Sequence, residues 1–375
     1  MKDRRLIVGG GFVVLLGLVT LLAPWLGLRD PSAQPDGLVL RDLPPLSRPL
    51  AIRLASGKTR YAHELRERPD GSVEYRRGTE WHELAPSELA DEWRRRPLFL
   101  LGTDNFGRDL LSRLVYGGRI SLLLGLSAAG IALAIGTLVG VLAAVGGGWV
   151  ETLLMRLTDL MLSIPRLFLA LMLVALYGPS LITTVVVLAA TTWMAAARLV
   201  RGEILSVREL EFVSAARAAG ARPFRLVTRH LLPAVAVPIT VESTLRVGDT
   251  ILLEAALSYL GLGVPAPASS WGNLVADGRD SLLDAWWIAT LPGLAIAVTV
   301  IALNLLGDAA RDRFDPLSRQ STSRFTNVPR AAATSSPSFD VDLEPEPAVA
   351  ASETVSVAVT RSSRSVDRRE RPRGG

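Results

Sequence analysis

ISLLLGLSAAGIALAIGTLVGVLAAVGGGWV, the stretch at residues 120–150, contains no charged side chain. Three more uncharged stretches of similar composition lie at 6–28, 167–197 and 285–307. Each is at least as long as the ~20 apolar residues that a helix rising ~1.5 Å per residue needs to cross ~30 Å of hydrocarbon. The sequence therefore predicts a multi-spanning membrane protein, and a soluble enzyme is excluded.

The composition narrows the chemistry further. The 375-residue chain is 49% hydrophobic and 21% charged and has no cysteine, which excludes disulfides, iron–sulfur clusters and thiolate metal sites. Its three histidines, His63, His82 and His230, are too scattered to form a metal site alone. The net charge of +5 does not indicate a nucleic-acid partner, because the arginines are spread along the chain and largely matched by acids.

The apolar stretches predict an all-α membrane protein with six transmembrane helices. The predicted spans are Leu6–Leu26, 119–146, 164–178, 180–198, 234–260 and Trp286–Leu306. The loop from Arg198 to His230 carries seven arginines against three glutamates, whereas 263–285 carries three aspartates against one arginine. Because short cytoplasmic loops are enriched in basic residues, the arginine-rich loop and both termini are predicted to be cytoplasmic.

The polar segments complete the predicted organisation. The predicted division is a first transmembrane helix at 1–28, an extracytoplasmic insert at 29–98, a core with five transmembrane helices at 99–317 and a disordered cytoplasmic tail at 318–375. Within the insert, Arg68-Pro69-Asp70-Gly71 is a turn sequence between partly alternating residues, which predicts a β-hairpin and a small external β-element. The tail is rich in Ser, Thr, Pro and Arg, a composition typical of disorder.

No Gly-x-x-x-x-Gly-Lys-[Ser/Thr] sequence is present, so the chain cannot bind ATP by that route. If ATP drives the protein, another polypeptide must hydrolyse it and dock on this one. Leu205–Ala219 is predicted to form a helix capped by Gly220, and Pro223 to begin a second helix, giving a thin, basic helix-turn-helix. An amphipathic helix lying on anionic lipid is the alternative, since it would use the same arginines.

Several motifs then match one family. Ser214-Ala215-Ala216-Arg217-Ala218-Ala219-Gly220, followed by Arg229-His230-Leu231-Leu232-Pro233, resembles the EAA loop of ABC importer permeases of the dipeptide and oligopeptide type. Leu101-Gly102-Thr103-Asp104-Asn105-Phe106-Gly107-Arg108-Asp109 is similar to the start of the second span in their C-type subunit. The segment from Glu254 to Asn273 and the sequence Asn304–Asp308 look like the last two spans.

The resemblance implies the type I ABC importer permease fold and a set of partners. These are a second homologous permease, two ATP-binding subunits, an extracytoplasmic solute-binding protein, a peptide substrate and membrane lipid. It also implies that ATP and Mg are bound by the partner subunits, that this chain carries no cofactor and no catalytic or metal site, and that it lies in the inner membrane. The implied coupling loop lies within 205–233, and its candidate residues are Glu211, Ser214, Ala215, Ala216, Arg217, Gly220, His230 and Pro233.

One residue departs from the family pattern, because Ser214 stands where the family has glutamate. Any salt bridge made by that glutamate must be absent here or supplied by Glu211. The extracytoplasmic motif has the candidate residues Gly102, Thr103, Asp104, Gly107, Arg108 and Asp109. It is either an N-terminal cap for the second span or a gating or substrate contact.

The fifth predicted span is the only one with several charges, at Glu242, Arg246, Asp249 and Glu254. At ~100° per residue the first three share one stripe of the helix, and Glu254 lies about 120° from Glu242. Charges within a membrane span face protein or water rather than lipid. The stripe is therefore either a self-paired cluster at a helix contact or part of a translocation path.

The sequence thus predicts a non-enzymatic permease subunit of an ABC importer for peptides or similar small solutes. An ion-coupled secondary transporter, which could use the charges of the fifth span as a relay, is one alternative. A membrane receptor or scaffold is another. A permease for nickel chelates or oligosaccharides is a third, because the substrate is not written in this chain.

Overall fold

The computed structural model describes residues 2–314. The α-helices are α1 (Lys2–Leu21), α2 (Leu110–Gly146), α3 (Gly148–Ser163), α4 (Arg166–Tyr177), α5 (Leu181–Ala190), α6 (Trp193–Arg208), α7 (Glu211–Ala218), α8 (Pro223–Leu226), α9 (Leu232–Tyr259), α10 (Trp271–Gly278) and α11 (Trp287–Phe314). A π turn at Val227–Leu231 joins α8 to α9. The β-strands are β1 (Leu50–Leu54), β2 (Thr59–Ala62), β3 (Glu64–Glu67), β4 (Val73–Arg77), β5 (Glu80–Leu84) and β6 (Leu89–Arg95).

The helices confirm a multi-spanning membrane fold. Within residues 2–314, four helical segments are long and apolar enough to cross a membrane: Leu110–Gly146, Leu181–Arg208, Pro223–Tyr259 and Trp287–Arg313. The pair α3 and α4 forms a fifth if it is counted as one broken span. The apolar helix Leu6–Leu21 lies where the first span is predicted and is shorter than the other four.

The insert contains the predicted β-element. Its strands form two three-stranded antiparallel sheets, in the orders β2-β1-β6 and β3-β4-β5. The predicted hairpin is confirmed, with Glu67 opposite Val73 across the turn. Asp70 accepts hydrogen bonds from the N–H and hydroxyl of Ser72, which hold the pKa of the Asp70 carboxyl below its usual value. Ile52, Val73 and Tyr75 are buried between the sheets.

The helices pack through small residues. Gly136 and Gly140 of α2 lie against the backbone of α6, where a Cβ on Gly136 would come within 2.6 Å of the Trp193 carbonyl oxygen. Gly125, about three turns nearer the start of α2, lies against Ile251 of α9. Small residues at such positions let helix backbones approach closely, which is how helices associate where lipid gives no hydrophobic driving force.

Several predicted span boundaries differ from the helices of the structure. The third span is not a straight helix at 164–178, because α3 and α4 meet at Pro165 with a bend of 87°. Proline has no N–H and cannot continue the hydrogen-bond ladder of α3. The fourth span runs on to Arg208 rather than ending at 198, and the fifth begins at Pro223 rather than 234.

The helix predicted at Leu205–Ala219 is broken in two. Leu210 is extended, with ψ 148°, and separates α6 from α7. The turn carries Val213 back into a buried cluster with Val200, Ile204 and Leu231, and burial of an apolar side chain of this size stabilises by about 1.5–3 kcal/mol. The disordered tail predicted at 318–375 lies outside the described residues, and the other domain boundaries remain predictions.

Candidate functional site

The candidate residues lie at the two ends of the helix bundle and, for the charged residues of α9, between those ends. The insert adjoins the start of α2 at Asp109, and we call this side the insert end. The guanidinium of Arg208 donates to the Ala144 carbonyl oxygen at 3.2 Å, which places the end of α6 beside the end of α2. The segment 209–222 therefore lies at the opposite end of α2, which we call the loop end.

Gly220 terminates α7 as the sequence predicts. Its φ is +80°, a left-handed conformation that glycine adopts without strain. Its N–H donates to the Arg217 carbonyl oxygen at 3.0 Å, and the N–H of Ala221 reaches back to the Ala216 carbonyl oxygen at 3.1 Å. These two bonds satisfy carbonyls that would otherwise be unpaired at the helix end.

The two faces of α7 have different surroundings. Glu211, Ser214, Ala215 and Arg217 are exposed, whereas Ala216 is half-buried and packs against the Val213 cluster. Ala216 therefore supports the fold of the loop, and Ala215 presents the small outer surface. Among the described residues, the exposed Arg217 pairs with no acid.

His230 and Pro233 lie where α8 passes into α9. His230 is half-buried within the π turn, and Pro233 occupies the first turn of α9. Pro233 has no N–H for the carbonyl of Arg229, and the π turn falls at the point where that bond is missing. The loop and the fifth span are consequently one continuous helical element from Pro223 to Tyr259.

At the insert end, the glycines and Thr103 of the motif hold a tight chain crossing. Gly102 has φ +79°, and a Cβ there would lie 2.2 Å from the Leu43 carbonyl oxygen. The Thr103 hydroxyl donates to the Leu40 carbonyl oxygen and accepts from the Leu43 N–H at 2.9 Å. Gly107, with φ +73°, has the same role against the Asp36 carbonyl oxygen. These residues fasten the insert to the bundle.

Asp104 is the centre of a buried ion cluster. Its side chain is 0% exposed and accepts from the N–H groups of Phe106 and Arg108, each at 2.9 Å. It also accepts from the Arg108 Nε at 2.7 Å and from the Arg113 guanidinium. Asp277 of α10 completes the cluster, 3.2 Å from Arg108 and 3.0 Å from Arg113. Sequence reasoning missed Arg113 and Asp277 as members.

Asp109 caps α2. Its carboxylate accepts from the N–H of Ser112 at 2.9 Å and from the Ser112 hydroxyl at 2.5 Å, which is the N-cap geometry that satisfies an orphan donor. Arg29, from the start of the insert, lies 3.4 Å from the same carboxylate. The cap interpretation of the motif thus holds for Asp109, while Asp104 ties the loop to α10.

The charge stripe of α9 forms the pairs that its spacing predicts. The Arg246 guanidinium lies 2.5 Å from Glu242 and 3.4 Å from Asp249. Exposure rises along the stripe, from 15% for the Glu242 side chain to 50% for Asp249. Asp249 therefore has the most exposed side chain of the three residues.

Glu254 lies apart from that stripe, in a hydroxyl cluster. It is 0% exposed and accepts from the Ser258 hydroxyl at 2.6 Å. Ser258 in turn lies 3.3 Å from the Ser270 hydroxyl at the start of α10. Glu254 thus joins α9 to α10 inside this chain, and its other carboxylate oxygen has no hydrogen-bond partner among the described residues.

Arg166 is a further charged residue beside the stripe, and sequence reasoning missed it. It is the first residue of α4, directly after the bend at Pro165. Its guanidinium donates to the Thr192 hydroxyl at 2.7 Å, at the break between α5 and α6. Ala170, one turn beyond Arg166 on α4, belongs to the same buried cluster as Leu253, one turn beyond Asp249 on α9, so the two charged residues lie on neighbouring turns of adjacent helices.

Comparison with known proteins identifies similar membrane transport proteins. Residues 136–320 match the family described as binding-protein-dependent transport system inner membrane component. The di/tripeptide transport system permease protein DppC of Pseudomonas aeruginosa is 46% identical over 218 residues, which cover 58% of this chain and 72% of that protein. The dipeptide transport system permease protein DppC of Alkalihalophilus pseudofirmus is 42% identical over 215 residues, which cover 57% and 71%.

Among solved structures, the MetNI methionine ABC transporter in inward facing conformations is similar over 55% of this chain and 98% of that chain. The sequence identity is 20% and the TM-score is 0.47. This likeness is too loose to assign a role to any residue.

Proposed function

Because the chain belongs to the family of binding-protein-dependent transport system inner membrane components, we propose that it is the permease subunit of an ATP-driven importer of di- and oligopeptides. Relatives that match this chain include proteins named as peptide and dipeptide transport permeases. The chain itself is not an enzyme in this proposal. ATP and Mg are bound, and ATP is hydrolysed, by separate subunits.

The observation that supports this proposal most directly is the exposed surface of the segment at the loop end. There α7, capped at Gly220, presents a face of Ser214 and Ala215 to the outside. Arg222, Arg225 and Arg229 follow on the next element and are all exposed. A thin surface with several cations suits the cleft of a partner whose rim is acidic. Since the chain lacks a phosphate-binding loop of its own, a motor docked here would supply the energy.

The other proposed partners follow from the same function. A second homologous permease completes the channel around the half-exposed stripe of α9. Two ATP-binding subunits occupy the loop end, one on each permease. An extracytoplasmic solute-binding protein delivers peptide at the insert end, next to the motif from Gly102 to Asp109.

The test is reconstitution of the whole complex in liposomes, with uptake of radiolabelled alanine di- and tripeptides measured with and without ATP. We expect ATP-dependent uptake by the complex and none by this chain alone under an ion gradient. Gly220→Val should abolish uptake and copurification of the ATP-binding subunits, because a β-branched residue is strained at φ +80° and the α7 cap is lost.

Gly220→Asn is the matched control, since asparagine tolerates the left-handed region, and a Cβ at this position would meet nothing within 4 Å. It should retain most of both signals. Transport by the chain alone would favour the ion-coupled alternative. Full uptake and copurification by the valine variant would remove the loop from the docking role.

We also propose that the loop end is cytoplasmic and the insert end is extracytoplasmic. The lack of native cysteine allows single-cysteine labelling. Ser56→Cys and Leu283→Cys, at exposed positions of the insert end, should react with an impermeant maleimide in intact cells. Ser206→Cys, exposed at the loop end, should react only after the membrane is opened. The reverse pattern would invert the orientation and place the docking loop on the wrong side for ATP.

A further inference from the structure

Two helix breaks meet at one charged position. Pro165 ends the ladder between α3 and α4, and a two-residue turn at Thr191 and Thr192 separates α5 from α6 within the span Leu181–Arg208. The Arg166 guanidinium spans the gap between them through its 2.7 Å hydrogen bond to Thr192. Discontinuous membrane helices leave polar groups inside the bundle, and such places are where transporters bind their substrates.

The charges around this position are unevenly paired. Arg246 has two carboxylate partners, Glu242 and Asp249, on its own helix. Arg166 has no carboxylate within 4.0 Å among residues 2–314, and its Nε is shielded from solvent without a hydrogen-bond partner. Asp249, in turn, has only one contact of 3.4 Å and is half-exposed. The site therefore contains a cation without a carboxylate partner, Arg166, and a carboxylate that can accept further hydrogen bonds, Asp249.

An unpaired guanidinium at this position destabilises the protein unless an anion binds to it. A guanidinium within a membrane span is unfavourable when it is unpaired. Arginine presents five N–H donors in a planar fork, and the group that fits the fork best is a carboxylate bound through two parallel hydrogen bonds. Thr192 occupies a single donor of Arg166, so the rest of the fork is free to receive one.

We propose that Arg166 binds the C-terminal carboxylate of a peptide as it crosses the membrane, while Asp249 receives its N-terminal ammonium. This inference rests on the peptide-import function proposed above. Both groups are present on every unmodified peptide whatever its side chains, so a site built this way admits peptides as a class. Specificity for particular side chains would then lie outside this chain.

The test is equilibrium binding to the complete complex in nanodiscs, without nucleotide and without the solute-binding protein, which would otherwise select the peptide first. The probes are trialanine and its C-terminal amide, titrated by saturation-transfer NMR. Because a charge-assisted pair contributes about 1.5–3 kcal/mol, wild type should bind trialanine at least about tenfold more tightly than the amide. Arg166→Gln should abolish the difference.

Arg198→Gln is the matched control. Arg198 of α6 pairs with Asp159 of α3 at 3.1 Å, and both side chains are about half-exposed. It should keep the wild-type preference. Arg166→Lys retains the charge without the fork and should show a reduced preference, which provides a readout if the glutamine variant does not assemble.

Equal binding of the two probes by wild type, no detectable binding of trialanine, or an unchanged preference in either Arg166 variant would overturn the inference. Uptake separates this result from failure of the proposed function. ATP-dependent uptake of trialanine with no carboxylate preference rejects only the role of Arg166. No ATP-dependent uptake of any peptide rejects the function itself.

Discussion

Replacing Gly140 with valine is expected to leave little folded protein in the membrane. A Cβ at this position would lie 2.7 Å from the Ala197 carbonyl oxygen and 2.9 Å from the Val200 Cβ of α6. The first of these atoms belongs to the backbone and cannot rotate away, so α2 and α6 would have to separate. Overpacking of a tight interface typically costs about 1–3 kcal/mol and occasionally more.

The effect should be large because this interface joins two of the spans through close backbone contacts at Gly136 and Gly140. Helix association within lipid depends on close packing, and separation of α2 from α6 would weaken the van der Waals contacts between the two helices. Gly136→Val should behave similarly, since its Cβ would lie 2.6 Å from the Trp193 carbonyl oxygen. The measurement is the yield of monodisperse protein after detergent extraction, with its thermal unfolding midpoint.

Gly130→Val is the matched control on the same helix. Gly130 is exposed, and a Cβ there would meet nothing within 4 Å. Its yield and midpoint should stay near those of wild type, because valine is no worse than glycine in a helix interior. If Gly140→Val also behaves like wild type, the close approach of α2 and α6 is wrong.

The features that were predictable from sequence are those with a local signal. Uncharged stretches such as 120–150 predicted the membrane spans, and the turn sequence Arg68–Gly71 predicted the hairpin. Gly220 could be assigned a helix-ending role because glycine after an alanine-rich helix is the usual C-terminal cap. The 3- and 4-residue spacing of Glu242, Arg246 and Asp249 was sufficient to predict their pairing.

What the sequence could not show depends on contacts between distant segments. Asp277 lies 164 residues from Arg113, and nothing near either residue indicates that α10 packs beside the start of α2. In the sequence Arg166 is only the boundary of an uncharged stretch, and its contact with Thr192, 26 residues away, has no local signal. The glycines at 136 and 140 do form a recognisable Gly-x-x-x-Gly pattern, which could have predicted a helix contact but not its partner.

Replacing Asp104 with asparagine is expected to destabilise the insert end strongly. Asp104 is fully buried and accepts four hydrogen bonds, two of them from the guanidinium groups of Arg108 and Arg113. Asparagine has nearly the same shape but carries no negative charge, and its NH₂ group would face donors. Arg113, with a side chain only 4% exposed, would keep Asp277 as its one carboxylate. Removal of one partner from a buried ion cluster costs about 3–5 kcal/mol.

The same variant decides between the two interpretations of the motif from Gly102 to Asp109. If the cluster is structural, Asp104→Asn should lower the thermal unfolding midpoint of the purified complex, and uptake should fall only in proportion to folded protein. Asp280→Asn serves as the control, because Asp280 is 81% exposed and pairs only with its neighbour Arg279, so its stability should change by no more than about 0.5 kcal/mol. An Asp104→Asn complex with the wild-type midpoint but impaired uptake would instead favour a gating or substrate contact. The full burial of Asp104 favours the structural outcome, since a residue that a passing peptide contacts has to have an exposed side chain.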